Sequence, residues 1–194
     1  MDEMGRLILM LAVAGVGLTL LGGVAIWFLD EGRRIRRSLK SMLNGDMPAW
    51  LVARGRGKGV GFDFAKGRIA VTWDCGVWCL TYRVEELRGV ELIVDDQTVA
   101  LAYRGEGRRS LDYLPGAEKM VRLRFVFDDP AWPDFCLDLW LPQDADRRGA
   151  LTPAEAAQEG SRWVGRIEAL FHRPIAPPPA PNPASGPEFA PLRE

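Results

Sequence analysis

The sequence predicts an α+β chain that is mainly β: an N-terminal transmembrane helix, then a seven-stranded antiparallel barrel or sandwich capped by one C-terminal helix. Three observations lead to this fold class. An uncharged run fills residues 7–28, short apolar–polar alternations recur between residues 60 and 141, and a helical apolar period covers residues 152–173. Alternation with a period of two is typical of strands, and a period near 3.6 is typical of helices.

The apolar run at residues 7–28 contains no charged side chain. A helix rises about 1.5 Å per residue, so the run would extend about 33 Å and cross a hydrocarbon core of about 30 Å. A cleaved signal peptide is disfavoured, because the run is too long and ends in Trp27-Phe28 without a small-residue cleavage site. We therefore expect residues 1–29 to be retained as a membrane anchor.

The charges that flank this run predict its orientation in the membrane. One basic residue, Arg6, precedes the run, whereas five follow it closely: Arg33, Arg34, Arg36, Arg37 and Lys40. Lys and Arg beside a span stay on the cytoplasmic side. We expect a single-pass protein of the inner membrane, with its N-terminus outside and residues 30–194 in the cytoplasm.

Residues 30–58 are predicted to form a basic juxtamembrane helix and a flexible linker, and they carry eight basic and three acidic side chains. One helical face is apolar and holds Ile35, Leu39, Met42 and Leu43. Two interpretations remain open. Either this helix lies on the bilayer with its five cations on anionic headgroups, or the cations only set the topology and the helix continues the span.

Seven short runs of alternating apolar residues predict seven antiparallel strands. Gly, Asp and Pro separate the runs and are typical of tight turns. The runs start at Val60, Ile69, Trp78, Val90, Val99, Val121 and Phe135. Asp138 in the last run is expected to pair across the sheet with Arg122 or Arg124.

A helical period follows the last strand. The T-P-A-E stretch at residues 152–155 matches a capping box, with a proline at the first helical position. The helix is predicted to cover residues 152–173 and to bury Trp163, Ile167 and Leu170.

The tail at residues 174–194 holds eight prolines. A segment of this composition cannot bury a core, so we expect it to be disordered. Two P-x-x-P matches within it are a weak signal for recognition by a partner, and a solvated tail is the favoured interpretation.

The order of seven antiparallel strands and one C-terminal amphipathic helix resembles that of pleckstrin-homology-like (PH-like) domains. The V-E-E-L bend at residues 84–87 and the F-D-D-P turn that begins at residue 127 look like those of small bacterial membrane-anchored members. The resemblance covers residues 59–173 and rests on the order of elements, and an unrelated small barrel with a helix is the alternative. It implies a domain that binds lipid headgroups, peptides or proteins and does not catalyse a reaction.

Lipid-binding members of that superfamily carry a K-x(n)-[KR]-x-R pattern on their first two strands. Lys58, Lys66 and Arg68 match the pattern here. The resemblance therefore implies possible contacts of these three residues with an anionic headgroup, and ordinary surface charge is the alternative.

Motifs for catalysis, metals and nucleic acids are missing from the sequence. No G-x-S-x-G, H-E-x-x-H or EF-hand spacing occurs, and a single His172 with Cys75, Cys79 and Cys136 does not supply a zinc ligand set. Residues 59–194 carry 16 basic and 21 acidic side chains, which disfavours nucleic-acid binding. We expect no enzyme activity, no metal and no cofactor.

Two classes of function fit these expectations. The first is a membrane-anchored interaction module that places its β domain at the cytoplasmic face of the bilayer, where it binds a protein or a lipid. The second is a structural subunit of an envelope or secretion assembly that uses its span to oligomerise.

The topology can be tested with reporter fusions. Alkaline phosphatase fused after Glu194 should be inactive, since that enzyme needs the oxidising side of the membrane, whereas a fluorescent protein at the same site should be bright. An active phosphatase fusion would reverse the predicted orientation.

Overall fold

The computed structural model describes residues 10–13, 15–17, 19, 30–45, 47–111 and 116–172. The described residues before position 20 are helical. None of the helices in the described ranges is both long and apolar enough to cross a membrane. Most of the predicted span at residues 7–28, and the tail at residues 174–194, lie outside those ranges. The span and the tail therefore stay predictions.

Two antiparallel sheets build the domain. The first sheet has the strand order β1-β2-β3-β4, and its strands are β1 (Ala49–Ala53), β2 (Lys58–Asp63), β3 (Arg68–Trp73) and β4 (Trp78–Arg83). The second sheet has the order β7-β6-β5-β8-β9, and its strands are β5 (Leu87–Val94), β6 (Gln97–Tyr103), β7 (Arg109–Ser110), β8 (Val121–Phe127) and β9 (Asp134–Trp140).

Helix α1 (Glu31–Met42) precedes the first sheet, and helix α2 (Pro153–Phe171) follows the second. The predicted class, α+β and mainly β with a C-terminal helix, is confirmed. The predicted count of seven strands is wrong, because the described residues form nine. Strand β1 lies in the expected linker, and the two-residue β7 lies in an expected loop, where only its pairing with Ala100 and Leu101 makes it a strand.

The core lies between the inner faces of the two sheets and is closed by α2. Phe62 of the first sheet meets Phe125 of the second at 6.1 Å between ring centroids, and it meets Trp163 of α2 at 5.3 Å. Trp163, Ile167 and Leu170 are all buried, so the predicted inner face of the helix is confirmed.

The capping box at the start of α2 also forms as predicted. The N–H of Thr152 donates to the Glu155 carboxylate at 2.8 Å, and the N–H of Glu155 donates to the Thr152 hydroxyl at 3.3 Å. Along the helix, Gly160 lies so close to Leu92 that an added Cβ would come within 2.5 Å of the leucine. The small residue therefore lets α2 approach the second sheet closely.

The outer face of the second sheet carries polar pairs. Arg122 Nε donates to Asp138 at 2.5 Å, which confirms the predicted cross-strand pair. Arg124 contacts Glu91 at 3.2 Å, and the hydroxyl of Tyr103 donates to the same carboxylate at 2.6 Å. Burial and the hydrogen bond to Glu91 raise the pKa of Tyr103 to about 12.

Helix α1 packs against the outer face of the first sheet. Ile35, Leu39 and Leu43 are fully buried there, in a cluster that is separate from the main core. Gly59 and Gly61 of β2 make room for them, since an added Cβ at Gly59 would lie 2.6 Å from Ile35 Cγ2.

This packing differs from the expected use of the α1 apolar face. Of the four apolar residues on the face that one interpretation lays on the bilayer, only Met42 is exposed, at 40%. Because burial in the domain already uses the other three, the helix cannot lay this face on a bilayer. Residues 30–58 thus contain a helix and a strand of the folded domain in place of a separate juxtamembrane helix and linker.

A matched pair of substitutions tests the α1 contact. Ile35→Ala should lower the free energy of unfolding by about 2–5 kcal/mol, because it leaves a cavity under the helix. Met42→Ala on the exposed face should change it by less than about 0.5 kcal/mol. Denaturant unfolding of the full chain in mild detergent, followed by near-UV circular dichroism, measures both. Equal effects would mean that α1 does not pack on the sheet.

Candidate binding groove

A groove of about 1100 Å³ runs between α1, β1 and the N-terminal half of α2. Strand β1 is an edge strand of the first sheet, and its residues Trp50, Leu51 and Val52 line one wall. Leu139 of β9 and the loop that leads to α2 complete the lining. The walls of the groove are thus formed by the edge strand β1, the start of α1 and the N-terminal half of α2.

The turn between β1 and β2 is bound to the first turn of α1. The Glu31 carboxylate accepts the N–H of Gly55 at 2.8 Å and the N–H of Gly57 at 2.5 Å. Both glycines have positive φ angles, 72° and 66°, which glycine adopts at little cost. The Glu31 side chain therefore holds the β1–β2 turn, which lines the groove, against the start of α1.

A buried ion pair connects this turn to the loop before α2. Arg56 Nη2 donates to Asp144 Oδ2 at 2.5 Å, and Asp144 is only 4% exposed. The N–H of Leu141 donates to the same oxygen at 2.9 Å, and Arg147 lies 3.4 Å from the other carboxylate oxygen. Burial alone would raise the pKa of Asp144, but the Arg56 hydrogen bond, the Leu141 N–H and the arginine charges together lower it.

The surface of the groove combines guanidinium groups with exposed apolar side chains. The Arg36 guanidinium lies over the Trp50 ring at 5.2 Å from its centroid, and Trp50 is 42% exposed. Arg54 donates to the carbonyl of Gly149 at 2.9 Å. Leu151 is also exposed on this surface. Exposed Trp and Arg side chains are typical of protein interfaces.

Four of the acidic groups in the groove have partners within the chain. Glu31 and Asp144 are bound as described, Glu155 caps α2, and Glu159 accepts from Arg162 at 3.1 Å. Arg36 and Arg54 instead contact a ring and a carbonyl, which do not neutralise their charge. Glu31 and Glu155 also contact neutral groups, so the lining, with six arginines and five carboxylates, carries a net charge of +1. Arg36 and Arg54 remain available to an anionic group of a ligand.

The five α1 cations predicted to meet the membrane are all exposed: Arg33, Arg34, Arg36, Arg37 and Lys40. Arg33 and Arg36 line the groove, and Arg33 Nε lies 3.6 Å from Asp30. The contact of this set with a bilayer stays a prediction.

The three residues matched to the headgroup pattern do not converge. Lys58 begins β2, and its Nζ lies 3.4 Å from the carbonyl of Cys136, whereas Lys66 and Arg68 lie at the far end of that strand. Five residue steps along β2 amount to about 17 Å. Lys66 is also 3.5 Å from the Asp63 carboxylate. Lys58 is therefore separated from Lys66 and Arg68, and a contact of the three with a headgroup stays a prediction.

No pattern in the sequence predicts the groove itself. Arg56 and Asp144 are 88 residues apart, so no local pattern joins them. Trp50 lies in a five-residue strand that does not alternate clearly. In the described ranges no group of three or more His, Cys, Asp or Glu side chains is placed to hold a metal ion.

Comparison with known proteins adds no further information about the groove. No protein family, no characterised protein and no solved structure matches this chain.

The Asp144 site predicts an acid-sensitive contribution to stability. The folded state lowers the pKa of the Asp144 carboxyl. The ionised carboxylate therefore contributes fully to the free energy of unfolding above the pKa of an unfolded Asp, about 3.9. That contribution is lost as the pH falls through the lower pKa of the folded state. Asp144→Asn should destabilise the protein at pH 7 and make the loss of stability below about pH 4 shallower. Asp146→Asn, in the same loop but exposed, is the control. Denaturant unfolding midpoints are measured for each chain at a series of pH values from 7 to 3. If the midpoint falls with pH equally steeply for Asp144→Asn and for the unmodified chain, the prediction is contradicted.

Proposed function

We propose that this protein is a membrane-anchored, non-enzymatic interaction module that binds an extended segment of a protein partner in the groove. The observation that carries the proposal is the edge strand β1 in the groove wall, opposite α2. An edge strand has backbone donors and acceptors on one side that no strand of its own sheet occupies. An incoming segment can pair with them as an added strand and place alternate side chains in the groove.

The side chains of the groove indicate the character of that segment. Trp50 and Leu151 offer apolar contact, and Arg36 and Arg54 offer guanidinium groups that, among the described residues, contact a ring and a carbonyl. Guanidinium groups bind carboxylates through paired hydrogen bonds. The preferred ligand is therefore an extended segment that carries both apolar and acidic side chains.

The predicted anchor would bring the groove to the membrane. Asp30 and Glu31 line one end of the groove, and the predicted span ends at Phe28. The cytoplasmic location follows from the charge distribution around the span. The PH-like resemblance supports a binding role, since strands followed by one C-terminal helix is the order found here. The nine strands are a departure from the seven expected.

Site-specific photo-crosslinking in the native membrane tests the groove. A benzophenone amino acid at position 50 or 151 should give a discrete adduct with one protein, and Arg36→Glu together with Arg54→Glu should reduce it at least fivefold. Position 111 is the control, because Leu111 is similarly exposed but follows β7 at the distant edge of the second sheet.

Three outcomes would count against the proposal. No adduct from the groove positions, or an equal adduct from position 111, would contradict binding in the groove. An adduct with a second copy of this chain would favour a structural subunit.

A further inference from the structure

Three large apolar side chains are exposed together at one end of the domain. Val77, Trp78 and Trp132 are 61%, 59% and 56% exposed. Trp73 pairs with Trp78 across the β3–β4 hairpin, and its ring centroid lies 5.7 Å from that of Trp132. We call Trp73, Val77, Trp78 and Trp132 the tryptophan cluster. Large exposed apolar side chains grouped in this way are typical of interaction sites.

The backbone holds the cluster outward in two rigid turns. In the β3–β4 turn, Asp74, Cys75 and Gly76 all have positive φ angles. In the β8–β9 turn, the Asp129 carboxylate accepts the N–H of Ala131 at 2.9 Å, and Pro130 and Pro133 restrict the chain around Trp132. The exposed tryptophans are therefore fixed features of the fold.

The cluster lies at the end of the domain where the chain enters α1. The carbonyl of Gly76 accepts the Ser38 hydroxyl at 2.8 Å, and an added Cβ at Gly76 would lie 3.3 Å from the carbonyl oxygen of Arg34. The N–H of Cys75 donates to Gly57 at 3.0 Å, and Gly57 is bound to Glu31. The β3–β4 turn thus contacts the first two turns of α1.

This position places the cluster near the bilayer if the span is present. The predicted span ends at Phe28, and the described domain begins at Asp30. Two residues of extended chain cover at most about 7 Å, so the first turn of α1 must lie at the membrane surface. The turn packed against it, which leads into Trp78, must lie close to the same surface.

We propose that the tryptophan cluster enters the interfacial layer of the membrane that holds the N-terminal span, an inference that rests on the proposed anchor. Tryptophan has an apolar body and a polar N–H, and it prefers the level of the headgroups. Arg34 is exposed beside the same turn, and a cation there is attracted to anionic lipids. The apolar face of α1, which one interpretation of the sequence lays on the bilayer, is instead buried against the first sheet.

The cluster would hold the domain in one orientation. The predicted span attaches the domain to the membrane at the start of α1. The tryptophan cluster would attach it at a second point, on the other side of the β3–β4 turn. Two attachments restrict rotation of the domain about the span axis. A bilayer is favoured over a protein as the occupant, because the short connection from the predicted span to α1 brings this end of the described domain to lipid.

Tryptophan quenching by brominated lipids in nanodiscs tests this contact on the full chain. Val77→Trp and Leu111→Trp each add one tryptophan at a similarly exposed site, the first in the cluster and the second at the far edge of the second sheet. The fluorescence added by Val77→Trp should fall at least twofold in brominated lipid, and that added by Leu111→Trp should not change. Trp78→Phe should remove part of the quenched signal of the unmodified chain.

Extraction with alkaline carbonate tests the anchor separately. Chain that stays in the membrane, with quenching at position 77 only, supports both proposals. Chain that stays in the membrane, with no quenching at position 77 or with equal quenching at position 111, overturns the cluster contact and leaves the anchor. Chain that carbonate releases overturns the anchor, and the cluster contact with it.

Discussion

The packing of α1 against the first sheet is the contact on which the rest of the structure depends. An antiparallel sheet commonly has one face in water, but here α1 covers the outer face and the core covers the inner one. Burial of Ile35, Leu39 and Leu43 turns the segment after the predicted span into part of the domain. Because the helix is fixed, the groove beside it has a defined wall, and the turns that contact its first residues have a defined position relative to the helix.

Polar contacts then set the positions of the connecting segments. Glu31 binds one turn through two backbone N–H groups, and Asp144 joins that turn to the loop before α2 through Arg56. Hydrogen bonds of this kind add modest net stability, yet removing the partner of a buried group such as Asp144 is costly. Apolar burial stabilises the core. The hydrogen bonds of Glu31 and Asp144 then favour one arrangement of the loops around it.

The periodicity of apolar residues predicted those strands and helices whose own residues carry the pattern. The strands from β2 to β6, with β8 and β9, alternate, and α2 has both a capping box and an apolar face, so each could be predicted from its own residues. Strand β1 and strand β7 could not, because their pairing partners define them. The amphipathic pattern of α1 predicted a buried face but not whether lipid or protein would cover it. The groove required contacts between residues far apart in sequence, such as Arg56 and Asp144, for which no local signal exists.

The two glycines under α1 have a consequence for how relatives of this chain can be found. An added Cβ at Gly59 would lie 2.6 Å from Ile35 of α1, and one at Gly61 would lie 2.7 Å from Met47 and 3.3 Å from Leu43, just after the helix. Selection for the fold should therefore keep the spacing I-x₃-L-x₃-L, followed about 15 residues later by G-x-G at the start of a strand, while the rest of the surface diverges. A search built on that spacing would detect descendants whose overall identity has fallen too low for ordinary alignment.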